Sequence, residues 1–228
     1  MNILSKTCLV IGADSSVGRA LVEHYVLAGY QVIGTTRRLA DPTSENHLYV
    51  DLENAGSVKA LADKVETIDV LIFCIGALPG KDLQHYSDED LQEVFHANVI
   101  IVIKALRHLQ SYLNAHGAVL FIGSIAGSAG SYDEAYSASK AALVGLTKSL
   151  AKKSQNGVRF NCIAPGLIEG STMFEGFAEG EIEKHVQQTP VGKLIALEDL
   201  VKICFDISQP HWASLNGQVI DINGGRYV

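Results

Sequence analysis

Thr7-Cys8-Leu9-Val10-Ile11-Gly12-Ala13-Asp14-Ser15-Ser16-Val17-Gly18-Arg19-Ala20 holds the strongest structural signal in the chain. Its first five residues form a short apolar run, as in a strand buried on both faces. Gly12 lets the chain turn, and Gly18 lets a helix approach the sheet or a cofactor closely. Beyond the turn, Val17, Ala20, Leu21, Tyr25 and Ala28 recur at helical spacing, and Gly29 ends the pattern. A strand, a glycine-bearing turn and a helix, in that order, place backbone N–H groups and the positive end of a helix dipole at the turn. An anion such as a phosphate is favoured there. The same order also serves an ordinary strand-to-helix connection.

The alternation continues outward from this unit. Residues 30–36, 47–50, 70–75, 118–123, 158–163 and 218–222 read as further strands. Val58, Leu61, Ala62 and Val65 have helical spacing, and so do Leu143, Leu146, Thr147 and Leu150. Ser87 is an expected N-cap, with Asp90 three residues on, and a long helix is expected over about 91–115. Another helix is expected over 198–207. Such alternation gives an α/β fold, a doubly wound parallel sheet with helices on both faces and right-handed crossovers. Residues 1–228 are expected to form a single dinucleotide-binding and catalytic domain. The stretch 167–188 mixes Met173, Phe174 and Phe177 with glycines and acids, as in a lid over a cleft.

Composition narrows the function. Hydrophobic residues are 47% of the 228 and charged residues 19%, as in a globular domain with a large core. Net charge is −7 and the basic residues are scattered, so nothing suggests a nucleic-acid footprint or a basic membrane patch. Cys8, Cys74, Cys162 and Cys204 lack metal or redox spacing and read as reduced core cysteines. The histidines lack metal spacing too. No apolar run approaches the roughly 18 residues of a membrane span, and the first strand begins too early for a signal peptide. A cytoplasmic location is expected.

The chemistry concentrates in Tyr136-Ser137-Ala138-Ser139-Lys140. Residues four apart lie on one helix face. An ammonium beside a phenol favours the phenolate, so Tyr136 is expected to titrate below its ordinary value of about 10. Such a group exchanges a proton with an alcohol or carbonyl. The spacing alone equally describes a half-buried aromatic with a solvated lysine. Asn98 falls inside the expected long helix, where its amide competes for backbone groups; it is either solvent-facing or the mark of a kink. Ser124 sits at the carboxyl end of a strand, where open parallel sheets bind ligands. The second strand ends in Thr35-Thr36-Arg37-Arg38, with no acid to hold a ribose 2′-hydroxyl. In a dinucleotide fold two arginines there favour NADP(H) over NAD(H). Otherwise they are a solvated charge pair.

Together these residues resemble the classical short-chain dehydrogenase/reductase family over nearly the whole chain. The resemblance is carried by Gly12…Gly18, Asp51, Asn98, Ser124, Tyr136-x-x-x-Lys140, Pro165-Gly166 and the C-terminal Asn216-Gly217-Gln218-Val219…Asn223-Gly224-Gly225. It implies a Rossmann-type sheet of about seven strands and an Asn98-Ser124-Tyr136-Lys140 tetrad. In that picture Tyr136 is the general acid/base, Lys140 tunes it and holds the nicotinamide ribose, Ser124 bonds the substrate oxygen, and Asn98 holds a water. The implied cofactor contacts are Gly12, Ser15, Ser16, Val17, Gly18, Arg37, Arg38, Asp51, Leu52, Gly76, Tyr136, Lys140, Pro165, Gly166 and Ile168. No metal is implied.

The chain departs from the family pattern at Ile11, Asp14, Ser16, Gly170 and Phe73-Cys74-Ile75. Asp14 lies near the expected phosphates. At 73–75 the family's asparagines are missing, so other groups must make their polar bonds. The expected activity is NADP(H)-dependent interconversion of a carbonyl and an alcohol, in a homodimer or homotetramer. The other reading is an NADP(H)-binding regulatory or sensor protein with little turnover. The segments 78–83 and 127–133 and the lid suggest a largely apolar small-molecule substrate with few charges.

Overall fold

The structure is a computed structural model and describes residues 6–36 and 47–227. Seven parallel strands form one sheet in the order β3-β2-β1-β4-β5-β6-β7. They are β1 (Thr7–Ile11), β2 (Gln31–Thr36), β3 (His47–Tyr49), β4 (Ile68–Phe73), β5 (Leu113–Ile122), β6 (Arg159–Pro165) and β7 (Val219–Ile222). The helices are α1 (Ser16–Leu27), α2 (Ala55–Val65), α3 (Asp88–Phe95), α4 (Ile101–Leu109), α5 (Ala126–Ala129), α6 (Glu134–Lys153), α7 (Glu179–Gln187) and α8 (Leu197–Ser208).

The period of two along β1 divides the core. Leu9 and Ile11 join a cluster with Val58 and Leu61 of α2, Val102 and Leu106 of α4 and Leu143 of α6. Cys8 and Val10 join a second cluster with Leu21 and Tyr25 of α1 and Leu200 and Cys204 of α8. Both sheet faces are thus covered, which is why the inner strands read as unbroken apolar runs. β1 lies between β2 and β4, so the winding direction reverses there. A crevice opens at the carboxyl ends of strands on either side of such a reversal.

The expected helix over 91–115 is divided. α3 begins with a capping box between Ser87 and Asp90, as anticipated. A π-helical segment, His96–Ile100, then separates it from α4, with the Ile101 N–H donating to the His96 carbonyl. Asn98 lies in that segment and is buried. Of the two readings of Asn98, solvent-facing or the mark of a kink, the structure shows the second, as this wider turn. A 3₁₀ turn, Gln110–Tyr112, ends the helical stretch, and pairing in β5 starts at Leu113 opposite Ile68. The apolar run starting near Ala118 marks the buried part of this strand, not its origin. At its start Asn114 Nδ2 donates to Asp69 Oδ1 at 2.8 Å.

All four cysteines are free, and Cys74 is the only one of them not fully buried. Among the described residues no His/Cys/Asp/Glu group is arranged for a metal, and no helix is long and apolar enough to cross a membrane.

Arg159 on β6 is a buried cation with no carboxylate partner among the described residues. Its guanidinium donates to the carbonyls of Ile207, Ser208 and Gln209 at 3.0, 3.1 and 3.3 Å and to Leu215 O at 3.2 Å. It thereby closes the negative end of α8. Arg159→Met removes the guanidinium donor from the Ile207 and Ser208 carbonyls, while Leu215 O keeps Asn161 Nδ2 and Gln209 O keeps Trp212 N, and it is expected to cost about 1–3 kcal/mol of stability, read by urea unfolding.

Candidate active site

A cleft of about 840 Å³ runs along the carboxyl ends of the strands. At one end are Gly12, Ser15, Ser16 and Val17 of the β1–α1 turn; at the other are Ser124, Tyr136 and Lys140. Leu52, Gly76, Pro165, Gly166 and Ile168 line it between. Asp14, Arg19, Thr35 and Cys74 also line it, though the sequence reading assigned them no contact. Thr35 had a signal, its position at the end of β2.

Two anticipated cofactor contacts, Gly18 and Asp51, and the tetrad residue Asn98 do not line the cleft. Gly18 lies behind the turn, where an added Cβ would meet the Gly12 carbonyl oxygen at 2.2 Å, so its place is structural. Asp51 is exposed and accepts from Glu53 N at 2.9 Å, which closes a local turn. Asn98 is buried beneath the cleft floor. Arg37 and Arg38 lie outside the described residues.

The phosphate-side turn is organised by Ser15, whose Oγ accepts from Gly18 N at 3.0 Å and caps α1. Gly12 has φ +90°, a conformation that side chains other than glycine's resist. Ser16 Oγ accepts from Thr172 N at 3.2 Å, which ties the turn to the 167–188 segment.

At the other end, α6 carries Tyr136 and Lys140 one turn apart. Asp133 caps this helix, its Oδ1 accepting from Tyr136 N at 2.8 Å. The same buried carboxylate accepts from Tyr86 OH at 2.7 Å, Gly80 N at 2.9 Å and Lys81 N at 3.3 Å. An Asp at the start of a helix is the usual sequence sign of such a cap.

Lys140 is 3% exposed and its Nζ lies 5.8 Å from the centre of the Tyr136 ring. It donates to Ile122 O at 3.3 Å. Asn98 Oδ1 accepts from Ala77 N at 2.7 Å, and its Nδ2 donates to Ala77 O and Ser139 Oγ at 2.9 and 2.8 Å. Asn98 therefore supplies polar bonds to the β4 loop, where the 73–75 stretch has none to offer. Gly76 fits against this pair only without a side chain, since a Cβ would meet Asn98 Oδ1 at 2.8 Å and Lys140 Nζ at 3.0 Å.

The electrostatics correct one expectation. Burial pushes the Tyr136 phenol above its ordinary value, a hydrogen bond with Ser124 opposes the rise, and Asp133 and Tyr132 reinforce it. Desolvation outweighs the lysine because the phenol is 5% exposed and the ammonium faces the ring, itself buried. Burial lowers Lys140 to about 8.

The family is identifiable at this point. The chain belongs to the short-chain dehydrogenase/reductases: a family model described as enoyl-(acyl carrier protein) reductase matches residues 12–226. It is thus an oxidoreductase of the carbonyl/alcohol class by family. Among curated relatives, the 3-oxoacyl-(acyl-carrier-protein) reductase FabG of Escherichia coli K12 is 27% identical over 244 residues, covering 100% of both chains. That of Rickettsia typhi is 28% identical, covering 100% of this chain and 99% of its own. Solved structures share the fold. A glucose/ribitol-type short-chain dehydrogenase/reductase from Brucella melitensis superposes with a TM-score of 0.90 at 24% identity, over 98% of this chain and 97% of the other. The aldohexose dehydrogenase of Thermoplasma acidophilum gives 0.88 at 22%, over 97% and 94%.

Lys140→Met tests the buried ammonium. The lysine is charged in both folded and unfolded chains below pH about 8, so its burial cost is full there. As pH rises through 8 the folded form sheds the proton first, and the cost is gone above the unfolded value of about 10.4. The variant is expected to be more stable than the parent by up to about 3 kcal/mol at pH 7, with the gain fading toward pH 10.5. Denaturant unfolding of both proteins across that range reads it.

Proposed function

We propose that the protein is an NADP(H)-dependent oxidoreductase that interconverts a carbonyl and an alcohol, with Tyr136 as general acid/base. The observation that carries this reading is that Ser124, at the end of β5, and Tyr136 line the same cleft, with the Lys140 ammonium 5.8 Å from the Tyr136 ring centre. The residues present fit a dinucleotide. The cleft joins a helix-start turn, built on a positive-φ Gly12, to the Tyr136 site, and Gly76 keeps its floor open. Gly12, Ser16 and Val17 would hold phosphates, and Lys140 the nicotinamide ribose. When bound, the nicotinamide supplies or accepts the hydride.

The chain's own groups do the rest. Tyr136 in its protonated form gives a proton to the carbonyl oxygen during reduction and takes it back in the reverse direction. Ser124 donates to the same oxygen as negative charge develops there. The raised phenol favours the protonated form, the state that reduction needs. The reductase names of the curated relatives support the same chemistry. NADP(H) is favoured over NAD(H) by Arg37 and Arg38 after β2, which itself carries no acid. Half-exposed Phe95, Ile100 and Ile103 on the α3–α4 ridge support assembly into a homodimer or homotetramer.

Tyr136→Phe is expected to lower NADPH-dependent reduction of a responsive aldehyde or ketone by at least about 100-fold, while NADP⁺ binding measured by calorimetry persists. Retained turnover would remove the tyrosine from its role. Cofactor binding by the parent protein with no turnover on a broad carbonyl panel would favour the regulatory reading.

Arg37→Ala is expected to raise KM for NADPH far more than KM for NADH. Equal changes would take the arginine away from the 2′-phosphate.

A further inference from the structure

Ser124 and Tyr136 also face a second cavity, of about 450 Å³, which none of the phosphate-turn residues lines. Leu78, Met173 and Phe177 give it apolar walls. Its charged lining is cationic among the described residues, with Lys184, Lys193 and Arg226 against one acid, Glu181. A substrate with an apolar body and few charges would leave those cations unmatched.

Arg226 is the best placed of the cations. Its Nη2 donates to Gln188 Oε1 at 2.6 Å, and its Nη1 meets His185 Nδ1. The guanidinium lies 5.3 Å from the Tyr227 ring centre. These partners are neutral: burial, then the neighbouring Arg226, holds His185 below its usual range. Among the described residues no carboxylate pairs with Arg226 or Lys184. A guanidinium oriented by neutral acceptors keeps its full charge for a ligand.

The backbone around Arg226 is fixed in advance. Buried Asn223 accepts from Gly225 N at 2.8 Å and donates to Tyr227 O at 2.8 Å, and Arg226 N donates to Asn223 O at 3.2 Å. Gly224, at φ +63°, sits so tightly that a Cβ would meet Thr189 and Val191 side-chain atoms at 2.6 Å. Little ordering is left to do when a ligand arrives.

We propose that this cavity receives an anionic group, a carboxylate or phosphate, carried by the carbonyl substrate, with Arg226 as the specificity-determining residue and Lys184 as its second cation. The carbonyl lies at Ser124 and Tyr136, the connecting chain runs along Leu78, Met173 and Phe177, and the anion ends at Arg226. This rests on the oxidoreductase reading above and replaces the expectation of a substrate with few charges.

The test uses the full-length enzyme with NADPH and three ketones of matched length, ending in a carboxylate, its methyl ester, or a phosphate monoester. At least one anionic ketone is expected to exceed the ester in kcat/KM by about tenfold or more. Which anion leads distinguishes carboxylate from phosphate. Arg226→Ala should reduce the anion-to-ester ratio by about tenfold or more, Arg226→Lys should retain part of it, and Lys184→Ala should reduce it by a smaller factor. Calorimetry with the saturated, non-reducible carboxylate and phosphate analogues on the NADP⁺ complex should show binding that Arg226→Ala weakens. An ester handled as well as both anions overturns the proposal, as does a ratio unchanged in both the Arg226 and Lys184 variants. If none of the ketones is reduced, the oxidoreductase reading is what fails, and the calorimetric titration alone decides the anion site.

Discussion

The site depends on one buried carboxylate. Asp133 is fully enclosed, and its charge is tolerated because four donors satisfy it: two backbone N–H groups of the 80–81 loop, the Tyr86 hydroxyl and the first turn of α6. A buried carboxylate this fully bonded has little freedom to move. It fixes where α6 begins, and therefore the depth at which Tyr136 and Lys140 meet the sheet edge. It also holds the 80–86 loop against that helix, so the rim of the cleft and its reactive floor are positioned by the same atom group.

Beneath Tyr136 the structure accepts an unfavourable feature. Lys140 is buried with Ile122 O as its hydrogen-bond acceptor, and desolvation presses it toward neutrality. Nothing in packing requires a lysine here, and an apolar side chain would suit the core better. In the proposed reaction a lysine here places a positive charge beside a phenol in a site shielded from water. Asn98 braces this floor from below through Ala77 and Ser139, and the π-helical segment gives its amide room to reach both.

The two ends of the cleft are linked through the 167–188 stretch. Thr172 bonds Ser16 in the phosphate-side turn, while Met173 and Phe177 line both cavities. Ser16, one of the positions where the chain departs from the family pattern, thus ties the phosphate-side turn to this stretch through its hydroxyl.

Much of this was legible in the residues. The apolar runs of β1, β4 and β5 and the helical spacing of α1, α2 and α6 declare a parallel sheet covered on both faces, because period and burial are local properties of the chain. The candidate tetrad residues stood out from their motifs, and the helix propensity of Asn98 left a kink and a solvent-facing position both open. What the sequence by itself determined was which elements form and their order, and it marked the candidate side chains for the chemistry. Tertiary structure alone decided the rest. It set the sign of the Tyr136 shift, since that depends on how completely the ring is enclosed and which way the ammonium points. It left Gly18 and Asp51 out of the cleft lining and Asn98 buried beneath it, and it brought Lys184 and Arg226, 42 positions apart, to the lining of one cavity. Such contacts join residues distant along the chain, and spacing along the chain carries no record of them.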